Sequence, residues 1–501
     1  MRAAPPRAAA WVFLAGLAAG LTACARNPVT GKREIALVSE SQEIQMGQQY
    51  AQQVVKSMGV YNDKKVQDYV TRLGMAIATT SERPKLPWAF YVMDDPTVNA
   101  FALPGGSIFI TRGILTHMND EAELVGVLGH EIGHVTARHS VQQMTRQQIA
   151  QVGLGVGSIL SSEVAQYAGL ASQGLGVLFL KYGRDAESQS DLLGFKYMVR
   201  EGYDPHAMAD MFATLQRVSR LEGGGDIPEW ESTHPDPGNR IEATKKRIDT
   251  LSVPTSKLRL AREEYLPIIA GMTYGEDPRQ GYIDGHTFYH PGLRFKLDLP
   301  SGWQGQNTPE ALAAVSPQQD ALFQLTAPGR GTPDEAAKQF FGQEGVKSAD
   351  ASSAPVNGNP AVTSLFEAQT EQGAVQGIVA FVKYGDLTYR LLGYTPAGKL
   401  QAYEKTFRSS IASFAELKDK ARLEVTPYQV ALVEVDREMT VTEFNKQHPS
   451  TIPAERVAVV NGLDTPEDRI PAGTTFKSII GGHGAAVAQK KAAPADTTAG
   501  K

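Results

Sequence analysis

The chain has 501 residues, with 42% hydrophobic and 21% charged side chains and a formal net charge of −5. This length exceeds what one ordinary core supports, so we expect two to four domains. The composition is that of a globular protein, and no basic run with interleaved aromatic residues occurs, which argues against nucleic acid as a partner.

The N-terminus has the pattern of a bacterial export signal. Arg2 and Arg7 supply positive charge, and residues 11–21 form an apolar run that is too short to span a membrane. The pattern ends at Cys24, the single cysteine of the chain. We therefore expect residues 1–23 to be a lipoprotein signal peptide. A plain secretory signal with a chance cysteine near its cleavage site is the alternative.

Cys24 is the expected lipidation site, because Leu21-Thr22-Ala23 before it resembles the lipobox that directs acylation of a following cysteine. Ala25 follows it, rather than an aspartate that would retain the protein in the inner membrane. The expected location is therefore the outer membrane, facing the periplasm. Without a second cysteine the mature chain cannot form an internal disulfide, and any metal ligands must be histidines or carboxylates.

The first half of the chain is predicted to be mostly helical. Apolar residues recur with helical spacing over residues 40–78, and Asn119-Asp120 offers an N-cap for a helix that runs to about Ser140. Polar residues interrupt the Gly- and Ala-rich stretch 152–180, so buried helices are favoured there over a membrane segment. Further helices are expected at 184–201, 205–220 and 237–250, and short strands at 89–93, 99–103 and 107–111.

The second half has a mixed pattern. Residues 275–415 are predicted to form a small α+β domain of unassigned role, with strand-like alternation at 295–299 and a capping box at 332–335. Residues 424–482 form a compact module, and the Ala-, Lys- and Thr-rich tail 483–501 is predicted to be disordered. The expected fold class is multidomain α+β.

The strongest chemical signal is the sequence His130-Glu131-Ile132-Gly133-His134 on a predicted helix. Residues four apart on a helix differ in direction by only about 40°, so both imidazoles can reach one zinc ion at about 2.0–2.1 Å. Glu131 is then placed to act as general base, accepting a proton from the attacking water and returning it to the leaving amine. A chance HExxH match is the alternative, but the apolar patterning of the helix argues against it.

A catalytic zinc needs a third protein ligand. Glu187 is the best candidate, and Asp191 lies four residues later, on the same face of a second predicted helix. One carboxylate can bind the metal while the other accepts a hydrogen bond from a ligand imidazole. Such spacing is also ordinary on solvated helix faces, so these two residues by themselves are a weak signal.

Several segments together resemble the M48 family of zinc peptidases, and more narrowly its bacterial lipoprotein branch. The resemblance covers about residues 25–255 and implies a mostly helical, gluzincin-type protease domain with a short sheet over residues 24–258. It also implies that His130, His134 and Glu187 bind zinc. The segments that carry it are NAFALPGGSIFITRG (99–113), NDEAELVGVLGHEIGHVTARHS (119–140), RDAESQSD (184–191), and Ser232-Thr233-His234-Pro235 with Arg240.

The same resemblance implies further site residues. Glu131 would be the general base and Asp191 would hold a ligand imidazole by a hydrogen bond. His234 would lie near the metal, either stabilising the oxyanion or occupying the fourth zinc position and holding the enzyme idle. A turn histidine that caps the next helix is the alternative. Arg240 is interpreted as a substrate or scaffold charge. Asn99 and Ala100 are expected on an edge strand that pairs with the substrate backbone.

The remaining histidines are not expected to bind zinc. His286 and His290 are four residues apart, but Pro291 follows them and no helix aligns them. The others are expected to be surface or structural residues: His117, His139, His206, His448 and His483.

Residues 439–478 resemble a LysM repeat, a βααβ module, with Tyr428–Val435 as its first strand. This resemblance implies that the module 424–482 can bind peptidoglycan, although a degenerate copy would only pack against its neighbours. The sequence as a whole favours a membrane-tethered zinc endopeptidase that acts on misfolded or unassembled envelope proteins. Alternatives are a peptidoglycan hydrolase and a non-enzymatic outer-membrane assembly factor or chaperone.

Overall fold

A computed structural model of the chain describes residues 24–154, 182–221, 234, 237–309, 311–370 and 373–482. The predicted signal peptide, the tail 483–501 and most of the apolar stretch 152–180 lie outside these residues. Across the described part of the chain, no helix has both the length and the apolar character needed to cross a bilayer. The structure is α+β, with two compact units: one contains the chain up to Gly275 together with Gln429–Ile480, and the other contains Glu276–Tyr428.

The first unit begins with an antiparallel two-stranded ribbon of β1 (Cys24–Arg26) and β2 (Arg33–Ile35). Two amphipathic helices follow, α1 (Glu40–Met58) and α2 (Lys64–Ala78). A capping box at Ser39 begins α1, as expected for a serine followed three residues later by glutamine.

A three-stranded sheet follows, formed by β3 (Ala89–Met93), β4 (Ala100–Leu103) and β5 (Ser107–Thr111). Strand β5 lies in the middle, parallel to β3 and antiparallel to β4, so β4 is an edge strand. Phe101 and Phe109 stack with their ring centres 4.9 Å apart and pack against α1. This packing buries one face of the sheet.

The helices that follow build the centre of the unit: α3 (Arg112–His117), α4 (Glu121–Thr136), α5 (His139–Leu154), α6 (Arg184–Arg200), α7 (His206–Leu221) and α8 (Pro237–Ile248). Every residue of α4 is buried, so α4 is the core of the unit. It packs closely on α6, since a Cβ at Gly129 would lie 3.0 Å from the Cα of Gly194. These two glycines let the backbones approach closely enough for side chains of both helices to meet.

The unit continues through a 3₁₀ turn (Thr255–Lys257), α9 (Arg262–Ile269) and β6 (Thr273–Tyr274). The chain then enters the second unit.

The second unit contains two antiparallel sheets. Its four-stranded sheet has the order β17-β9-β8-β7, and its seven-stranded sheet has the order β10-β11-β12-β16-β15-β14-β13. The strands are β7 (Tyr282–Asp284), β8 (Thr287–His290), β9 (Phe295–Asp298), β10 (Gln304–Asn307), β11 (Ala311–Val315), β12 (Leu322–Gly329), β13 (Val346–Ser352), β14 (Ala361–Thr370), β15 (Gly373–Tyr384), β16 (Leu387–Pro396) and β17 (Ala415–Glu416). Its helices are a 3₁₀ turn (Pro278–Gln280), α10 (Pro333–Phe341), α11 (Leu400–Ser413) and α12 (Lys420–Leu423). The predicted strand at 295–299 and the capping box at Thr332 are both present.

The C-terminal segment returns to the first unit. Its elements are β18 (Tyr428–Glu434), β19 (Met439–Thr440), α13 (Val441–Gln447), α14 (Ala454–Val460), β20 (Arg469–Ile470) and β21 (Thr475–Gly481). Strands β21 and β18 extend a sheet onto β6, in the order β21-β18-β6. The two long strands therefore flank two helices, and the segment groups with the first unit.

Candidate metal centre

Four buried side chains meet at one point in the first unit. His130 and His134 come from α4, Glu187 comes from α6, and His234 precedes α8. Each offers one ligand atom, and these atoms lie within 4.8 Å of one another. None of the four residues is more than 2% exposed. The structure thus brings the two histidines and the glutamate singled out from the sequence to a common centre.

The spacing of the ligand atoms fits a zinc ion. The two Nε2 atoms of His130 and His134 are 3.0 Å apart, and Oε atoms of Glu187 lie 3.6 Å and 3.5 Å from them. Ligand atoms arranged tetrahedrally about zinc at its usual bond lengths are separated by about 3.3 Å. Two imidazoles and one carboxylate are also a common ligand set of catalytic zinc sites.

The side chains behind His130 hold it in a fixed orientation. Its Nδ1 atom lies 3.0 Å from Oδ1 of Asp191. Arg240 donates two hydrogen bonds to Asp191, at 2.6 Å and 2.9 Å, and pairs with Glu187 at 3.1 Å. Burial raises the pKa of Asp191, but the adjacent Arg240 charge outweighs this and holds the pKa below its ordinary value. Asp191 therefore stays ionised and favours the Nδ1–H tautomer, which leaves Nε2 for the metal.

The partner of His134 is a residue that the sequence analysis did not place at the site. His139 is 3% exposed, its Nδ1 atom lies 3.0 Å from Nδ1 of His134, and its Nε2 atom lies 3.0 Å from Oε1 of Gln189. The ring of Tyr182 stacks on His134 with centroids 4.0 Å apart. One helix ends at Thr136 and the next begins at His139, with Arg138 at φ 60° between them, so helical periodicity offered no signal for this contact.

Glu131 lies among these groups with no hydrogen-bond partner for either carboxylate oxygen within the described residues. It is fully buried, and burial raises its pKa to about 7. Burial also lowers the pKa of His130 to about 4, so this imidazole is neutral, the form that binds metals. A buried carboxyl that titrates near neutrality can accept and return a proton.

His234 lies at the fourth corner of the cluster. Its Nδ1 atom is 3.1 Å from Oε1 of Glu187 and 3.3 Å from Nε2 of His130, the same range that separates the other ligand atoms. Its Nε2 atom is 3.6 Å from Oε1 of Glu131. This imidazole therefore stands between the three predicted ligands and the predicted base.

The residues predicted to bind the substrate backbone lie at the sheet edge. Ala100 begins β4, which packs against α4, and pairs with Ile110 of β5. Asn99 precedes it and is 3% exposed, and its Oδ1 atom has no hydrogen-bond partner among the described residues. Both residues are in an edge-strand position, next to the helix that carries the metal ligands.

An HExxH helix with a glutamate from a second helix is the metal centre of a zinc metallopeptidase. The chain belongs to peptidase family M48, whose family model matches residues 64–248. The mitochondrial metalloendopeptidase OMA1 of Schizosaccharomyces pombe is 32% identical over 257 residues, which cover 48% of this chain and 73% of that protein.

Further relatives are found in bacteria and in cattle. The beta-barrel assembly-enhancing protease of Escherichia coli (strain K12) is 30% identical over 233 residues, covering 45% of this chain and 47% of that protein. The matched region thus spans about half the length of this relative. The cattle metalloendopeptidase OMA1 is 29% identical over 183 residues, covering 35% of this chain and 34% of the relative.

Proposed function

We propose that this protein is a zinc-dependent endopeptidase of the bacterial envelope, anchored by a lipid on Cys24 to the outer membrane and facing the periplasm. Its substrates are misfolded or unassembled envelope proteins. The observation that carries the peptidase activity is the buried cluster of His130, His134 and Glu187, with the carboxylate of Glu131 beside it and free of hydrogen bonds to the described residues. The name of the Escherichia coli relative, which refers to beta-barrel assembly, supports envelope proteins as the substrate class.

Each side chain of the cluster has a distinct task in peptide hydrolysis. A zinc ion held by His130, His134 and Glu187 would supply a Lewis acid that polarises the scissile carbonyl and lowers the pKa of water. Glu131 takes the proton from the attacking water and delivers it to the leaving amine, which its pKa near 7 allows. Asp191 keeps the metal-binding nitrogen of His130 unprotonated.

Substrate binding falls to the strand edge. A peptide that adds to β4 beside Asn99 and Ala100 is held by backbone hydrogen bonds, so its side chains are selected only loosely. Arg240 already pairs with Glu187 and Asp191, and we assign it to positioning these carboxylates rather than to direct contact with the substrate. Loose selection suits an enzyme that removes many different unfolded proteins.

Cleavage of casein by the soluble form lacking residues 1–24 tests the activity. We expect the zinc-loaded protein to degrade casein, a chelator to abolish cleavage, and added zinc to restore it. Chelator-resistant cleavage would contradict a metal-dependent mechanism. Degradation of purified sacculi in place of unfolded protein would favour a peptidoglycan hydrolase.

The position of His234 leads to a second prediction. The Nδ1 atom of His234 lies as close to Glu187 and His130 as the other ligand atoms lie to one another. The imidazole of His234 therefore covers the fourth coordination position, at which a substrate carbonyl must bind. We therefore expect His234→Ala to raise basal casein cleavage several-fold, with zinc content unchanged. A drop of about 10²-fold or more would instead assign His234 to oxyanion stabilisation.

Peptidoglycan binding is proposed for the C-terminal segment, residues 424–482. Its order of strand, helix, helix and strand is the order of a LysM module, which supports a glycan ligand. Co-sedimentation of the full mature chain with purified sacculi tests this part of the proposal. Such binding would hold the peptidase close to the cell wall while the lipid holds it to the membrane.

A further inference from the structure

The ribbon of β1 and β2 has an exposed face that combines arginines with large aliphatic side chains. Exposure alternates along β2 and the residues after it, so Arg33, Ile35 and Leu37 are exposed while the residues between them are half-buried. Ile35 is 58% exposed and Leu37 is 47% exposed, among the most exposed large apolar side chains of the described residues. Arg26 lies directly opposite Arg33 in the strand register.

The opposite face of the ribbon is docked on the helices that carry and follow the metal ligands. Asn27 is 3% exposed and donates hydrogen bonds to Glu34 and to the backbone oxygen of Ala137, both at 3.1 Å. Glu34 also accepts a hydrogen bond of 2.8 Å from Gln142 of α5. The backbone of Leu37 donates to the hydroxyl of Thr145 at 3.3 Å. The ribbon is therefore fixed to the C-terminal end of α4.

The two arginines of the exposed face form no ion pair with the described residues. Like charges directly opposite each other on a ribbon are destabilising, and no described acidic residue pairs with Arg26 or Arg33. Two arginines beside two exposed aliphatic side chains are complementary to a phospholipid surface. The lipid phosphates can pair with the guanidinium groups, and the aliphatic side chains can insert at the boundary between headgroups and acyl chains.

We propose that Arg26, Arg33, Ile35 and Leu37 lie on an anionic phospholipid surface and orient the peptidase unit on the membrane. This inference deepens the proposed function and rests on its membrane location: the proposed acylation site, Cys24, is the register partner of Ile35. A lipid chain alone would allow the protein to rotate about its attachment point. The ribbon face supplies a second contact, and together they define one orientation.

The docked ribbon also limits how far the metal centre lies from the membrane. Asn27 lies three residues after Cys24, a reach of at most about 11 Å. Asn27 contacts Ala137, and His134 lies three residues earlier on the same helix, about 4.5 Å along its axis. The metal centre is thus held within on the order of 25 Å of the bilayer surface.

Vesicle binding of the mature chain starting at residue 25, which carries no acylation site, tests the ribbon face. Partition onto phosphatidylglycerol-rich vesicles is compared between the wild type and two double variants, Arg26→Glu/Arg33→Glu and Ile35→Ser/Leu37→Ser. The matched control, Lys296→Glu/Lys347→Glu, makes the same charge change at exposed positions of the second unit. We expect a loss of about 30-fold or more for the charge reversal and about 10-fold for the serine variant, with the control unchanged.

Salt should release the wild type, and phosphatidylcholine vesicles should bind it more weakly than anionic ones. The inference would be overturned if the wild type did not bind vesicles, or if both ribbon variants bound as well as the wild type. An equal loss of binding in the control variant would also overturn it. Casein cleavage in solution is measured on the same preparations and should not change.

Casein cleavage by a wild type that does not bind vesicles would refute the ribbon contact and leave the proposed peptidase activity intact. Acylation of Cys24 is tested separately, by mass spectrometry of the full-length product.

Discussion

Glu131→Gln is expected to lower casein cleavage by about 10³-fold while leaving the zinc content and the thermal unfolding midpoint close to those of the wild type. Glutamine has the same shape but cannot accept the proton of the attacking water. Neither carboxylate oxygen of Glu131 has a hydrogen-bond partner among the described residues, so the substitution breaks no described hydrogen bond. Replacing a buried carboxylate by a neutral amide also lowers the desolvation free energy of the folded state, so we expect no loss of stability.

Glu264→Gln, at an exposed position on α9, is the matched control and should cleave casein like the wild type. Zinc content measured by atomic absorption distinguishes a variant that is inactive because it lacks the proton acceptor from one that is inactive because it has lost the metal. If the Glu131 variant were inactive on casein yet fully supported envelope assembly in cells, the role of the protein would be that of an assembly factor and not of a peptidase.

Lys477→Met is expected to destabilise the first unit by about 3 kcal/mol, the largest stability effect that we predict for a single side chain. Lys477 is 0% exposed, and its ammonium donates hydrogen bonds to the backbone oxygens of Thr116 and Met118, at 3.0 Å and 2.7 Å. Asp120 and Glu123, at the N-terminal end of α4, are the acidic groups that interact with it. Burial lowers the pKa of Lys477 to about 7, so the main loss on substitution is that of a hydrogen-bond donor. Methionine fills the space but leaves the two buried carbonyls without this donor.

The effect should reach the metal centre, because Asp120 caps α4 by accepting a hydrogen bond of 2.9 Å from the backbone of Glu123. We expect the unfolding midpoint of the unit to fall by about 6–10 °C and casein cleavage to fall with it near that temperature. Lys446→Met, at an exposed position of α13, is the control and should unfold like the wild type. Equal midpoints for both variants would show that the C-terminal segment does not stabilise the peptidase helices.

Local patterns in the sequence predicted two of the metal ligands. The HExxH spacing placed His130 and His134 on one helix face, whereas Glu187 was a weak signal by itself and was assigned through the resemblance to the M48 family. The predicted capping residues at Asp120 and Thr332 also begin helices in the structure. These features depend on residues only a few positions apart, and short-range spacing is what a sequence displays directly.

Contacts between distant segments were decided by the tertiary structure alone. The ammonium of Lys477 reaches carbonyls more than 350 residues away in the chain. The C-terminal segment groups with the peptidase unit, since β18 and β21 extend a sheet begun by β6. Periodicity identifies which face of an element is buried, but the partner of that face is selected by packing and by the need to satisfy buried polar groups.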